Sequence, residues 1–467
     1  MNVRHKDIVV CQEEPFANCK LGRKEYAEVL SDIIKIDNGG FVLAINSQWG
    51  TGKTTFVKMW KQDLTNKDYK TLYFNAWEND LLTDPTVAIL GELKKLLKPS
   101  DSDDSKFKKI LSKSPTILKK VGPSLIKTFF AKYIDVDNIN SIITGTLEAT
   151  SDILAEEIEE YSKKEKGIND FKKHLNEYVK EESSDKPVIF IIDELDRCRP
   201  SYAVEILERI KHFFSVEGIV FVLSIDKKQL CSSIKGFYGS ENIDAEEYLR
   251  RFIDIEYRLP EPATNDFCEY LYSYFGFDEF FNDKERMLIT QNQSEHENFI
   301  NFASTLFEDS KLSLRQMEKL FVHSRIALKS FNIIQEIKPP FFFFLVYLRN
   351  HKEDIYNKIV SKKYNINELV SALESIIKVT NANEWSTEDF LIIQFVVYYN
   401  SYIRKSNSQE RILISKENRK LLFQTKIEYK MAEQYYSNAT INKIEEFLAQ
   451  LIKKIELHSN FVIKNTL

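Results

Sequence analysis

The feature that most constrains this chain is FVLAINSQWGTGKTTFVKMW, residues 41–60. An uninterrupted apolar run, Phe41 to Ile45, leads into a loop with glycines at 50 and 52, and residues at helical spacing follow from Lys53. A strand buried on both faces that feeds a helix through a short loop belongs to a parallel sheet covered by helices. The loop nearly matches the phosphate-binding pattern of Gly, four free residues, then Gly-Lys-Ser/Thr. Gly52, Lys53 and Thr54 are in place, but Ser47 holds the leading position. If the turn there needs a left-handed backbone, Ser47 adds roughly 1 to 2 kcal/mol of strain.

The rest of the first half repeats the same alternation. RKEYAEVLSDIIKI (23–36) has helical spacing and stops at NGG. Further strand signals are KTLYFNAW (70–77), PVIFIID (187–193), GIVFVLSID (218–226) and IDIEYRLP (253–260), with SYAVEILERIKHFF among the helical segments between them. The expected fold is α/β, a nucleotide-binding core with a five-stranded parallel sheet, a helical insertion and a helical C-terminal domain. Residues 1–84 and 187–262 form the two parts of the core, 85–186 the Lys- and Glu-rich insertion, and 263–467 the helical region. Within the insertion, PSDSDDSK is expected to be mobile. With 33 Phe and 22 Tyr against only 13 Gly, the 467-residue chain favours a helix-rich body over a small barrel.

Bulk properties exclude several classes. A net charge of -5 gives no general affinity for nucleic acid, which leaves local Lys/Arg clusters such as KFKKILSK (106–113) as the basis for that partner. Five scattered cysteines without a CxxC pair read as reduced thiols, and the first residues lack an apolar export signal, so a cytoplasmic location is expected. PPFFFFLVYL (339–348) is about half the ~20 residues that a membrane span needs and reads as a buried helix started by its prolines, so no membrane partner is expected. FLIIQFVVYYNSYI (390–403) likewise reads as core. The seven His are scattered and suggest no metal cluster.

A second motif bears on the loop. In VIFIIDELDRCRP, apolar residues run into Asp193 and Glu194, which places two carboxylates at the C-terminal end of a central strand, where open α/β sheets bind ligands. Asp193 can hold a Mg2+ shell with Thr54, and Glu194, on the opposite strand face, can polarise water for attack on a γ-phosphate. Taken alone, acidic residues often just end a strand; the paired motifs favour chemistry. Gly50 and Gly52 allow backbone N–H groups near the β-phosphate, and Lys53 reaches the β/γ oxygens. Ser224 or Asp226 is placed to contact the γ-phosphate or water, with helix capping as the alternative for Asp226. Arg250 and Arg251 read either as a finger on a neighbouring copy's nucleotide or as a solvated helix end.

In order, LGRKEYAEVL, INSQWGTGKTT, YFNAWEND, IFIIDELDRCRP, FVLSIDKKQL and YLRRFIDIEYRLPEP resemble the KAP family of P-loop NTPases, in the branch with an extra strand and a catalytic Glu. The likeness covers about residues 15 to 330 and includes LSLRQMEKLF, where Arg315 matches a second sensor position. It implies that Trp49, Gly50, Thr51, Gly52, Lys53, Thr54 and Thr55 line the nucleotide, that Asp193 binds Mg2+ and that Glu194 activates water. It also implies exclusion of phage or plasmids in bacteria; no nuclease or protease signature occurs, so the destructive chemistry is expected from a partner effector, and a homo-oligomer is the other partner expected. ATP is preferred to GTP because no Asn-Lys-x-Asp pattern occurs. The expected function is therefore Mg2+-dependent ATP hydrolysis by a switch or motor, against the alternatives of a nucleotide-binding scaffold that docks an effector without turnover and of a small-molecule phosphotransferase.

Overall fold

The computed structural model describes residues 9–36, 40–81, 84–96, 169–181, 186–214, 216–289, 294–378, 387–403 and 446–457. PSDSDDSK and KFKKILSK lie outside these residues. Two compact units emerge, one of Asp7–Glu261 and one of Pro262–Leu467.

The first unit carries strands β1 (Val42–Asn46), β2 (Thr71–Asn75), β3 (Val188–Asp193), β4 (Ile219–Ile225) and β5 (Ile255–Arg258). Among the described residues its helices are α1 (Lys24–Ile36), α2 (Lys53–Asn66), α3 (Pro85–Lys94), α4 (169–181), α5 (Pro200–Arg209), α6 (Lys227–Tyr238) and α7 (Ala245–Arg250), with a one-turn helix at Ala76–Asn79 between β2 and α3. The sheet order is β2-β3-β4-β1-β5 and every pairing is parallel. β4 therefore separates β1, which feeds the glycine loop, from β3, which ends in Asp193.

Period-2 alternation divides the core into two layers. Leu43, Ile45, Ile189, Ile191, Val220 and Val222 pack with Leu30 and Ile34 of α1 and Phe56 and Trp60 of α2. Their neighbours Val42, Ala44, Phe190, Ile192, Phe221 and Leu223 pack on the other face with helical residues such as Ile89, Phe171, Leu207 and Leu230. Burial on both faces explains why β3 and β4 read as continuous apolar runs.

The second unit is helical among the described residues. Pro339–His351 opens on its two prolines, and its residues Phe341 to Leu348 are buried. Phe343 meets Phe299, Phe321 and Phe307 at ring-centroid distances of 4.8, 5.5 and 5.7 Å. Thr387–Ile403 buries Leu391 to Val397, which makes its aromatic stripe part of a core. No helix among the described residues is long and apolar enough to cross a membrane.

Candidate functional site

Parallel register assembles the site before any side chain is considered. Asn75 lies opposite Asp193, Asp193 opposite Ser224, and Ser224 opposite Ile45, so four strand ends form one row at the C-terminal edge. The loop leaves this row with Ser47 N–H donating to the Ile225 carbonyl at 3.1 Å. It then turns through Gly50 and Gly52, whose φ values of 84° and 81° are left-handed. Gly52 caps α2 without a side-chain bond, so the helix presents its unpaired N–H groups and positive dipole end to the loop.

Ser47 does not occupy a left-handed position. Among the described residues the non-glycine positions with positive φ are Asp68, Glu194, Lys311 and Lys362. The condition under which Ser47 would strain the turn is therefore not met. Its hydroxyl instead donates to Thr51 Oγ1 at 2.8 Å, and Thr51 donates to the Gln48 carbonyl at 2.8 Å, which closes the loop on itself.

Lys53 is buried at the loop's centre, donating to the carbonyl of Ser47 and, at 3.0 Å, to that of Gln48. Burial lowers its pKa, while the nearby carboxylates of Asp196, Asp226 and Asp193 oppose that shift. The loop tip is tied down as well. Trp49 donates from its backbone to Asp226 Oδ2 at 3.2 Å and from its indole to Asp196. Asp226 also caps α6, accepting from Lys228 and Gln229, so it performs the capping role and touches the loop at once. Arg23, 3% exposed, donates to the carbonyls of Thr51 at 3.2 Å and Pro260 at 2.6 Å, which anchors the loop from behind.

At the end of β3, Asp193 is buried and accepts from Tyr73 Oη and from the Glu194 backbone N–H, both at 3.0 Å. Glu194 departs from the sequence expectation. The strand stops at Asp193, and Glu194 adopts φ 60°, ψ 26° to start a 3-10 turn, Leu195–Arg197. This left-handed residue, not strand alternation, aims its carboxylate. Oε2 accepts from Asn75 Nδ2 at 3.0 Å and Oε1 lies 2.7 Å from Arg197 Nη1. Burial raises the Glu194 pKa, with Arg197 and Asn75 holding it down. Burial likewise raises Asp196, against its bond from Trp49 and the charge of Lys53. Among the described residues, the buried polar atoms with no hydrogen-bond partner include Ser224 Oγ and Asp196 Oδ1 at this edge.

Tertiary structure thus brings Trp49 to Thr55, Asp193, Glu194, Ser224 and Asp226 to one sheet edge. Arg250 and Arg251 stand apart from this row at the end of α7, both exposed, with Arg250 paired to Glu247 at 2.8 Å. Arg315 is an exposed residue in the first turn of Leu314–Leu328 in the second unit. Tyr73, Asn75, Asp196, Arg197 and Arg23 were not singled out from the sequence. The available signal was the position of Asn75 in FNAW, at the end of the short strand signal KTLYFNAW.

The model of the KAP family P-loop domain matches residues 23–327. Solved structures similar to the chain include Drosophila ORC bound to DNA, 13% identical over 95% of this chain and 86% of that one, with a TM-score of 0.37. Another is Aeropyrum pernix ORC2 in an ADPNP and ADP form, 14% identical over 94% of this chain and 85% of that one, with a TM-score of 0.30. No curated protein matches the chain.

Proposed function

Because the chain belongs to the KAP family of P-loop domains, we propose that it is a Mg2+-dependent ATPase whose α/β unit acts as a switch or motor for its helical unit. The observation that carries this reading is the environment of Lys53. A buried ammonium held on loop carbonyls and faced by three Asp carboxylates lies at the same edge as the Asp193-Glu194 pair.

The residues fit a nucleotide. The left-handed glycines leave room for backbone N–H groups to meet phosphate, and Ser224 Oγ retains hydrogen-bonding capacity. Lys53 would exchange the Ser47 and Gln48 carbonyls for β/γ-phosphate oxygens. Thr54 and Asp193 would hold Mg2+, and Trp49 to Thr55 would line the phosphates. Mg2+, when bound, neutralises phosphate charge and aligns the oxygens for in-line displacement. Glu194 takes a proton from water as the water oxygen bonds to the γ-phosphorus and the bond to the β–γ bridging oxygen breaks, leaving ADP and phosphate. Asp226 is committed to Trp49 and the α6 cap, so Ser224 is the better contact for water or γ-phosphate of the two. The exposure of Arg250 and Arg251 suits a finger reaching a neighbouring copy, and the resemblance supports a sensor role for Arg315. The same resemblance supports a defence role, in which a partner effector would supply the destructive chemistry, and the scattered cysteines support a cytoplasmic location.

Turnover of ATP and GTP, with and without DNA or RNA, tests the reading. Lys53→Ala and Glu194→Gln should each lower Mg2+-dependent hydrolysis about 100-fold or more, and Glu194→Gln should trap ATP. Tight nucleotide binding with turnover indifferent to both substitutions would establish the scaffold instead.

A further inference from the structure

The neighbouring strands β2 and β3 end in register at Asn75 and Asp193, so the turns that follow them leave the sheet side by side. The turn after β3 carries Glu194 in a left-handed conformation, which an L-residue holds only where the surrounding structure fixes it. The turn after β2 grips it at both ends. At its start, Asn75 Nδ2 donates to Glu194 Oε2 at 3.0 Å. At its end, Asp80 engages Arg199 with all three of its acceptor oxygens. The Arg199 backbone N–H donates to Oδ2 at 2.7 Å, Nε donates to Oδ1 at 2.8 Å, and Nη2 donates to the Asp80 carbonyl. The gripping turn is itself stiff. Asn75 Oδ1 accepts from the N–H groups of Trp77 and Glu78, and Asn79 Nδ2 donates to the Asn75 carbonyl at 2.8 Å. Arg199 also opens α5, accepting from the Ala203 N–H at 3.0 Å, and the first turns of α5 are buried through Tyr202, Ala203 and Val204. The segment from Glu194 to Arg199 is therefore stretched between the end of β3 and a pinned helix start.

We propose that Asp80 and Arg199 are positioning residues for the reaction, a strap that fixes the far end of the turn after β3 and so holds the Glu194 carboxylate in place. The proposal rests on reading Glu194 as the base. The Arg199 side chain is 57% exposed and that of Asp80 5%. The charge of so open a guanidinium adds little to stability, and what its fork fixes is a position. Loosening the strap frees residues 195–199 while the glycine loop, whose bonds involve neither Asp80 nor Arg199, stays as it is. Rate and nucleotide affinity should therefore separate. A displacement of about 1 Å at a reacting group is worth roughly 100-fold in rate.

The test uses the full chain. Asp80→Ala should lower kcat for Mg2+-ATP about 10- to 100-fold, with KM changed by less than about threefold. Arg199→Met, which keeps the backbone N–H bond to Asp80, should lower kcat about three- to tenfold. In the nucleotide-free Asp80→Ala protein the amides of residues 195–199 should exchange hydrogen about tenfold faster or more, with those of β3 unchanged. In a Glu194→Gln background Asp80→Ala should lower kcat no further, since both changes act at one carboxylate. Wild-type kcat in Asp80→Ala, a rise in KM as large as the fall in kcat, unmoved exchange at 195–199, or a fall that multiplies with that of Glu194→Gln overturns the proposal. Should Asp80→Ala fail to fold, wild-type kcat in Arg199→Met does the same. Glu194→Gln by itself separates the two levels. If it hydrolyses ATP normally, the base assignment is wrong; if it is inactive while Asp80→Ala turns over as the wild type does, only the strap is.

Discussion

The indole N–H of Trp49 donates to the carboxylate of Asp196, joining the tip of the phosphate-binding loop to the turn that follows β3. Because β4 lies between β1 and β3, and the Trp49 backbone N–H also reaches Asp226 after β4, one residue stitches three strand ends together. Trp49→Phe keeps a ring but removes this donor from the buried Asp196 carboxylate. The nucleotide-free protein should lose about 1–3 kcal/mol of stability, read by urea denaturation. An unchanged midpoint would show that the bond does not order the loop.

Asp196 gives a pH-dependent prediction. Burial raises its pKa, so the folded state holds the proton more tightly than the unfolded chain does. The charged form is the costly one, and its cost is present at neutral pH and relieved as pH falls through the raised pKa. Asp196→Asn keeps an acceptor for Trp49 and removes the charge. It should melt about 2–4 °C above wild type at pH 7–8, with the gap closing in acid. Thermal melts across pH 4–8 would sink the idea if the variant were less stable throughout.

Ser47 and Gly52 make a contrasting pair. Ser47 has no left-handed backbone to relieve, so Ser47→Gly removes only the hydroxyl bond to Thr51. Nucleotide Kd should rise by no more than about tenfold. At Gly52, φ is 81° and a Cβ would meet no atom within 4 Å, so Gly52→Ala is strained by backbone conformation alone. That strain is about 1–2 kcal/mol. Calorimetric titration of both variants checks this, and abolished binding in Ser47→Gly would contradict it.

In the helical unit, Arg286 is buried, bonded at 2.6 Å through both Nε and Nη2 to Glu295, and donates to the carbonyls of Ile333 and Gln335. Its guanidinium also lies 4.7 Å from the Phe280 ring centre. Arg286→Met strands a buried carboxylate and should cost about 3–5 kcal/mol. Arg286→Met combined with Glu295→Leu should recover part of that loss. Chemical denaturation of the three proteins decides it, and a double variant no better than the single one would refute the account.

Much of the α/β unit was legible because its signals are local. Apolar runs bounded by Asn, Gly or Asp marked β1, β3 and β4, shorter strand signals marked β2 and β5, and Gly52-Lys53-Thr54 after β1 marked the loop. Asp193 was legible as the last residue of such a run. Glu194 was legible as a carboxylate but not in its direction, since a left-handed backbone at a non-glycine residue has no pattern in neighbouring residues. Arg23, Tyr73 and Asn75 escaped notice for a related reason. Each acts on residues far away in sequence, through bonds that exist only once the strands are in register.

The sequence by itself determined which segments are strands, where the phosphate loop sits and which residues bring charge to the sheet edge, because apolar period and glycine spacing act over a few residues. Only the tertiary structure decided that β4 stands between β1 and β3, that Ser47 closes the loop by its hydroxyl, and that Glu194 is gripped by Asn75 and Arg197. Sheet order and the Asn75 contact depend on segments that the chain holds far apart, whereas the Ser47–Thr51 and Glu194–Arg197 contacts, four and three residues apart, depend on backbone dihedrals fixed at the packed sheet edge.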